Sequence, residues 1–234
     1  NGYFILLRGP CLNQGVRIMC SNLRRMGWWI VVVVTIGLFS ASTASAKKPP
    51  KPPSGDALEY EIHQLDGTGG AFGGSAADIN DLREVVGTVR TPTSEDAAAY
   101  WNVVEVDGVV ESSLSVLSGG FAANAINNLG EIVGQTYDAS GNAVAVYWPT
   151  PVSAAFELPL LPGYAVSWPT SINNNGLICG YMSVSSLQDW QTFIAVVWRV
   201  TLSDGIPVIS DPVVLPGGSD GGFAAAVNDN DESG

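Results

Sequence analysis

Along the chain an apolar-ended segment repeatedly runs into a cluster of Asn, Asp and Gly and then into a run of β-branched residues. Residues 77–87 read ADINDLREVVG, residues 124–134 read NAINNLGEIVG, and residues 170–180 read TSINNNGLICG. A further copy opens at Ala225 with AAVNDND. The Ile-Asn pairs begin at 79, 126 and 172 and the closing glycines stand at 87, 134 and 180, spacings of 47 and 46. Each motif predicts a β-hairpin, because Asn, Asp and Gly tolerate the positive φ of a tight turn while Val and Ile favour the flanking strands. Asn80, Asn127 and Asn173 are expected to form the turns, bonding the local backbone through their side chains. Gly87, Gly134 and Gly180 are expected where the chain bends or another strand approaches closely.

After each hairpin comes a variable loop, at about residues 91–96, 138–142 and 183–191, and then a third strand ending in Trp101, Trp148 or Trp198. Each indole is large enough to fill the space between successive units. A fourth strand then leads into a Leu-rich stretch with Gly: Leu117-Ser118-Gly119-Gly120, Leu161-Pro162-Gly163 and Leu215-Pro216-Gly217. The fourth copy starts 55 residues after the third, and the excess is assigned to a loop-like stretch at 201–211. Four short strands in each unit describe one propeller blade. The expected fold is therefore all-β, a β-propeller-like array of four-stranded repeats of about 47 residues, incomplete as it stands. The repeats are expected at about 58–112, 113–157 and 158–211, with a partial copy at 212–234.

The N-terminal region has a different pattern. Arg24-Arg25, a short apolar stretch from Trp28 to Phe39 and the small-residue end Ala44-Ser45-Ala46 form a secretory signal, expected over residues 19–46 and cleaved after Ala46. The apolar core is shorter than the roughly 20 residues that span a bilayer, so no stable membrane span is expected after cleavage. Residues 1–18 fit no part of this signal, open on Asn rather than Met, and are expected not to belong to the mature protein. Residues 47–57, beginning KKPPKPPSG, form a Pro-rich, extended linker.

Export changes the charge and the redox picture. All 22 acidic residues follow position 46, whereas four of the ten basic ones precede it. The exported part therefore carries six basic residues against 22 acidic ones, a formal charge of −16. Such a surface repels phosphate backbones and anionic membranes, which excludes nucleic acid as the expected partner. Cys11 and Cys20 fall before the cleavage point, so only Cys179 remains and no intramolecular disulfide can form there. In the apolar run Leu177-Ile178-Cys179-Gly180 it is expected to be a small core residue.

Candidate chemistry is sparse. His63, the single histidine, lies in the alternating segment Tyr60-Glu61-Ile62-His63 that predicts an opening strand. Alone it makes neither a zinc site nor a triad. The Gly-rich residues 66–74 lack the Lys-Ser/Thr ending of a phosphate loop. Asn228, Asp229, Asn230, Asp231 and Glu232 have the hard-oxygen composition of a calcium loop, but in register they are the fourth hairpin turn. No cofactor other than calcium is expected, and no residue is expected to be catalytic, cofactor-binding or metal-ligating.

The I-N-x-x-G-x-V-x-G core with its closing Trp resembles the HAF-type extracellular repeat proteins of bacteria, from about Leu65 to Gly234. The His-Ala-Phe triplet of that family is replaced by Ala98-Ala99-Tyr100, Ala145-Val146-Tyr147 and Ala195-Val196-Val197, and Arg83 stands in the place of the first turn glycine. The resemblance implies an exported, propeller-like protein, secreted or at the bacterial cell surface, with no established activity. The expected function is a noncatalytic binding or structural module for an extracellular protein or glycan. The alternative is a propeller-type hydrolase or lyase on polysaccharide or ester substrates, with Glu84, Glu131 or Asp138 on loops as acids.

Overall fold

The computed structural model describes residues 4–7, 60–66, 73–185, 192–217 and 221–229. The chain divides into two compact units, one of residues 1–5 and 62–234 and the other of residues 6–61. The expected signal and nearly all of the Pro-rich linker and upstream segment lie outside the described residues, apart from a short strand β1 (Phe4–Leu7). A second short strand, β2 (Tyr60–His63), occupies the predicted opening position.

The first unit contains three antiparallel sheets, with no α-helix among the described residues. Each sheet is a meander. The first runs β3 (Gly74–Ile79), β4 (Glu84–Arg90), β5 (Asp96–Val106) and β6 (Val109–Val116). The second runs β7 (Ala122–Ile126), β8 (Ile132–Tyr137), β9 (Ala143–Trp148) and the two-residue β10 (Phe156–Glu157). The third runs β11 (Val166–Ile172), β12 (Leu177–Ser183), β13 (Ile194–Ser203) and β14 (Ile206–Ile209), and β13 also pairs with β15 (Val213–Val214).

Three expectations about boundaries change. Residues 201–211 are not a loop: most of them form the end of β13 and all of β14, joined at Asp204-Gly205, both at positive φ as a two-residue hairpin turn requires. Strands β5 and β13 continue past Trp101 and Trp198, and only β9 ends on its Trp. Strand β6 crosses the expected 112/113 junction and β15 lies beyond 211, because the fourth strand runs on until the Leu-Gly turn breaks it.

The closing glycines behave as their spacing predicts, and the cause is a bulge. Register shifts occur at Ala76/Asp78, Ala123/Ala125 and Pro169/Ser171, each opposite one of these glycines. The bulge drives a carbonyl across the pair, so a Cβ built on Gly87, Gly134 or Gly180 would sit 2.0, 2.1 or 2.1 Å from the oxygen of Ser75, Ala122 or Trp168.

Successive sheets pack face to face: β7 lies against β3, β4 and β5, and β11 against β7, β8 and β9. Trp148 is fully buried among Val86, Ala98, Ala123 and Ile132, in the seam between the first and second sheets. Trp198 fills the next seam among Val133, Ala145, Tyr147 and Ile178. Each indole N–H is also satisfied at the start of its own repeat: Trp101 donates to Asp66 O, Trp148 to Ser118 O and Trp198 to Pro159 O, at 2.7–2.9 Å.

Candidate functional site

An antiparallel meander presents two different ends. At one end lie the Asn-rich hairpin turns; at the other lie the connections between the second and third strands. The two are built from different chemistry.

At the turn end each Asn works in two directions. Asn127 Oδ1 accepts from Leu129 N and Glu131 N, the local bonding expected of a turn former. Its Nδ2 leaves the repeat and donates to Asn173 O at 3.0 Å. Asn80 does the same toward Asn127 O, and Asn173 toward Asn228 O. Outside this buried line runs a more exposed one, in which Asp81 N donates to Asn128 Oδ1, Asn128 N to Asn174 Oδ1, and Asn174 N to Asp229 Oδ1. Side chains therefore join the sheets where no backbone ladder does.

The acids expected on loops are part of this seam. Glu84 is the first residue of β4, and Glu131 immediately precedes β8. Glu84 accepts from Asn80 Nδ2 (2.6 Å) and from the Tyr100 hydroxyl (2.7 Å). Glu131 accepts from Asn127 Nδ2 and from the Tyr147 hydroxyl (2.6 Å). Burial first, and then the adjacent carboxylate, hold both phenols neutral well above the usual tyrosine range. In the third repeat Leu177 and Val197 occupy these two positions, so the acid and its phenol are absent together.

Asp138 lies at the opposite end. Its Oδ1 accepts from Ser140 N and Asn142 N, closing the loop between β8 and β9, and the bonds from Asn142 hold its carboxyl below the usual range. Glu131 and Asp138 bracket one strand, so the rise per residue separates them by about 23 Å, far beyond the roughly 5–9.5 Å of working glycosidase carboxylates. The structure does not bring this pair together.

What gathers at the loop end is aromatic. Trp168 stacks on Tyr181 (centroids 5.2 Å) and Tyr181 on Phe193 (5.0 Å), with Phe223 edge-on to Tyr181 at 6.3 Å. Trp168 and Tyr181 face each other across β11 and β12 at the register position held by Ser75 and Thr88 in the first sheet and by Ala122 and Gln135 in the second. Phe193 is buried, Trp168 and Tyr181 are half-buried, and Phe223 is half exposed. In the second repeat a smaller pair, Phe121 and Tyr137, stacks at 4.3 Å at the same end, with Tyr137 exposed. Gln135 is buried nearby with its Nε2 unpartnered.

The other sequence candidates fall into place simply. Cys179 is a buried free thiol whose Sγ lies 3.4 Å from Thr170 Oγ1, and burial pushes its pKa up, away from nucleophilic thiolate. His63 is half-buried in β2. Residues 67–72 of the Gly-rich loop and 230–232 of the proposed calcium loop lie outside the described residues, and both carboxylate oxygens of Asp229 accept from Asn174. Among the described residues no group of three or more His, Cys, Asp or Glu could hold a metal, and no helix is long and apolar enough to cross a membrane.

The aromatic group was missed by sequence reasoning because its members are 13, 12 and 30 positions apart, two of them in strands and two outside any strand. The available signal was the departure of Trp168 and Tyr181 from the small or polar residues of the sister repeats. Searches against family models, curated proteins and solved structures found no match.

Proposed function

We propose that this chain is an exported, noncatalytic module of propeller-like repeats, related to the HAF-type proteins, that binds an extracellular or cell-surface glycan through the loop end of its third repeat. The observation that carries this reading is the stacked group of Trp168, Tyr181 and Phe193, present in one repeat and replaced by small or polar residues in the others. A frame held constant at its turn end, with sequence variation concentrated at the opposite end, is how repeat scaffolds carry binding surfaces. Flat aromatic faces suit the apolar face of a sugar ring. A formal charge of −16 on the exported part favours a neutral ligand over an anionic one.

The test is retention of the exported chain on a panel of neutral and acidic cell-surface polysaccharides, compared with Trp168→Ala and Tyr181→Ala. Binding to a neutral glycan that both variants lose, with their folds intact by circular dichroism, supports the proposal. Binding that survives both substitutions moves the site elsewhere, and no retention on any polysaccharide removes the glycan.

A further inference from the structure

The third hairpin turn differs from its sisters in one chemical respect. Its turn glycine is preceded by an asparagine, Asn175-Gly176, where the second turn has Leu129-Gly130 and the first has Leu82-Arg83. Among the described residues this is the only Asn followed by Gly. Asn175 is exposed to solvent; Gly176, itself buried beneath Val200 O, sits at φ +73° and brings no Cβ to hinder ring closure. The Gly176 N–H donates to Asn173 O at 3.2 Å, at the long end of the usual range.

We propose that Asn175-Gly176 is a site of spontaneous covalent modification. When the turn opens and frees its N–H from Asn173 O, the Gly176 nitrogen loses its proton to base and attacks Asn175 Cγ; the new C–N bond closes a five-membered succinimide and the side-chain nitrogen leaves as ammonia. Water then opens the imide at one of its two carbonyls, giving aspartate or isoaspartate. Neither oxidant nor cofactor is needed, and the reaction quickens as pH rises because the attacking amide must be deprotonated.

The departing nitrogen has a structural job. Asn175 Nδ2 donates to Asp229 O at 3.1 Å, and the neighbouring Asn174 Nδ2 donates to Asp229 Oδ2 at 2.7 Å, so both amides tie residues 221–229 to the third sheet. Conversion replaces one donor with a carboxylate that faces the carbonyl oxygen of Asp229, a residue that carries a carboxylate of its own. Acceptor against acceptor and charge beside like charge both oppose the contact. The modification therefore loosens the last segment from the array. The other turn asparagines are protected: Asn80, Asn127 and Asn173 are buried with Oδ1 and Nδ2 engaged, and each precedes a residue that carries a Cβ.

The experiment is incubation of the full chain at neutral and mildly alkaline pH, followed by peptide mapping with mass detection and an isoaspartate assay. Conversion at Asn175 should outpace that at Asn128 or Asn174 by roughly tenfold or more, a barrier difference of at least ~1.4 kcal/mol. Asn175→Gln, whose longer side chain closes a less favourable ring, should abolish the signal. Equal rates at the three asparagines, or no rise with pH, would overturn the site. Hydrogen exchange on Asn175→Asp reads the consequence: faster exchange across 221–229 is expected, and unchanged protection would overturn the loosening.

Discussion

Tyr147 and Glu131 show how a polar pair is retained in a seam that is otherwise apolar. The phenol is fully buried, and its hydroxyl and the Asn127 amide share one carboxylate. Removing one partner leaves a buried polar group unsatisfied, whereas removing both leaves an apolar contact, which is the state the third repeat adopts with Leu177 and Val197. Tyr147→Val and Glu131→Leu are each expected to destabilise by about 1–3 kcal/mol, beyond the packing lost at residue 147. The double variant should lose clearly less than the sum, as read by a urea double-mutant cycle. Two aspartates are expected to respond to pH in opposite senses. Burial, outweighing bonds from Ile126 N and Ile79 N, raises the pKa of Asp78 above 3.8, so its contribution to folding is greatest below that value and is lost as pH rises through the folded value. Bonds from Asn142 lower the pKa of Asp138, so its contribution is present above the unfolded value and lost as pH falls through the folded one. Denaturant titrations should therefore find Asp78→Ala more damaging in acid than at neutrality, and Asp138→Ala less damaging in acid than at neutrality.

At the scale of the hairpin, the bulge and the turn glycine set different tolerances. Gly134 faces Ala122 O with no room for a methyl group, and Ala123 Cα and the buried Trp148 ring close in at 2.9 Å. Gly134→Ala is expected to cost about 3 kcal/mol or more, because overpacking here must move a strand as well as a buried indole. Arg83, at φ 65°, holds the position that Gly130 and Gly176 fill in the sister turns, and its ion pair with Glu105 is largely exposed. Left-handed strain outweighs both that pair and the extra freedom of unfolded glycine, so Arg83→Gly should stabilise by about 0.5–1 kcal/mol in thermal or urea unfolding. Both elements were legible in the sequence, since a strict spacing of Asn and Gly reports backbone geometry that those residues satisfy with least strain. The destination of Asn127 Nδ2 was not legible, because the local pattern accounts for Oδ1 and is silent about the neighbouring repeat. For the same reason Glu84 and Glu131 looked like free loop acids: sequence shows their charge but not the Asn and Tyr that face them. The aromatic group was hidden by distance along the chain, and residues 201–211 by a polar Asp-Gly turn that resembles loop until its flanking strands are paired.

Across the whole array the sheets are fastened by side chains and indoles instead of a continuous backbone ladder, so coupling between repeats rests on a few atoms. Asn127→Ala removes two local acceptor bonds and the donor bonds to Glu131 Oε2 and Asn173 O. It is expected to cost about 3 kcal/mol or more and to split unfolding, lowering the apparent m-value as the third sheet separates from the second. A single transition with unchanged m would show that apolar packing alone carries the coupling. The same fastening is repeated in kind: each unit reaches the next through the amide of its turn asparagine, and the tryptophans of the second and third units fill the seams with the unit before. An in-frame duplication or deletion of one repeat's worth of codons would therefore recreate a familiar junction on both sides, letting genetic recombination lengthen or shorten such an array without inventing any new contact.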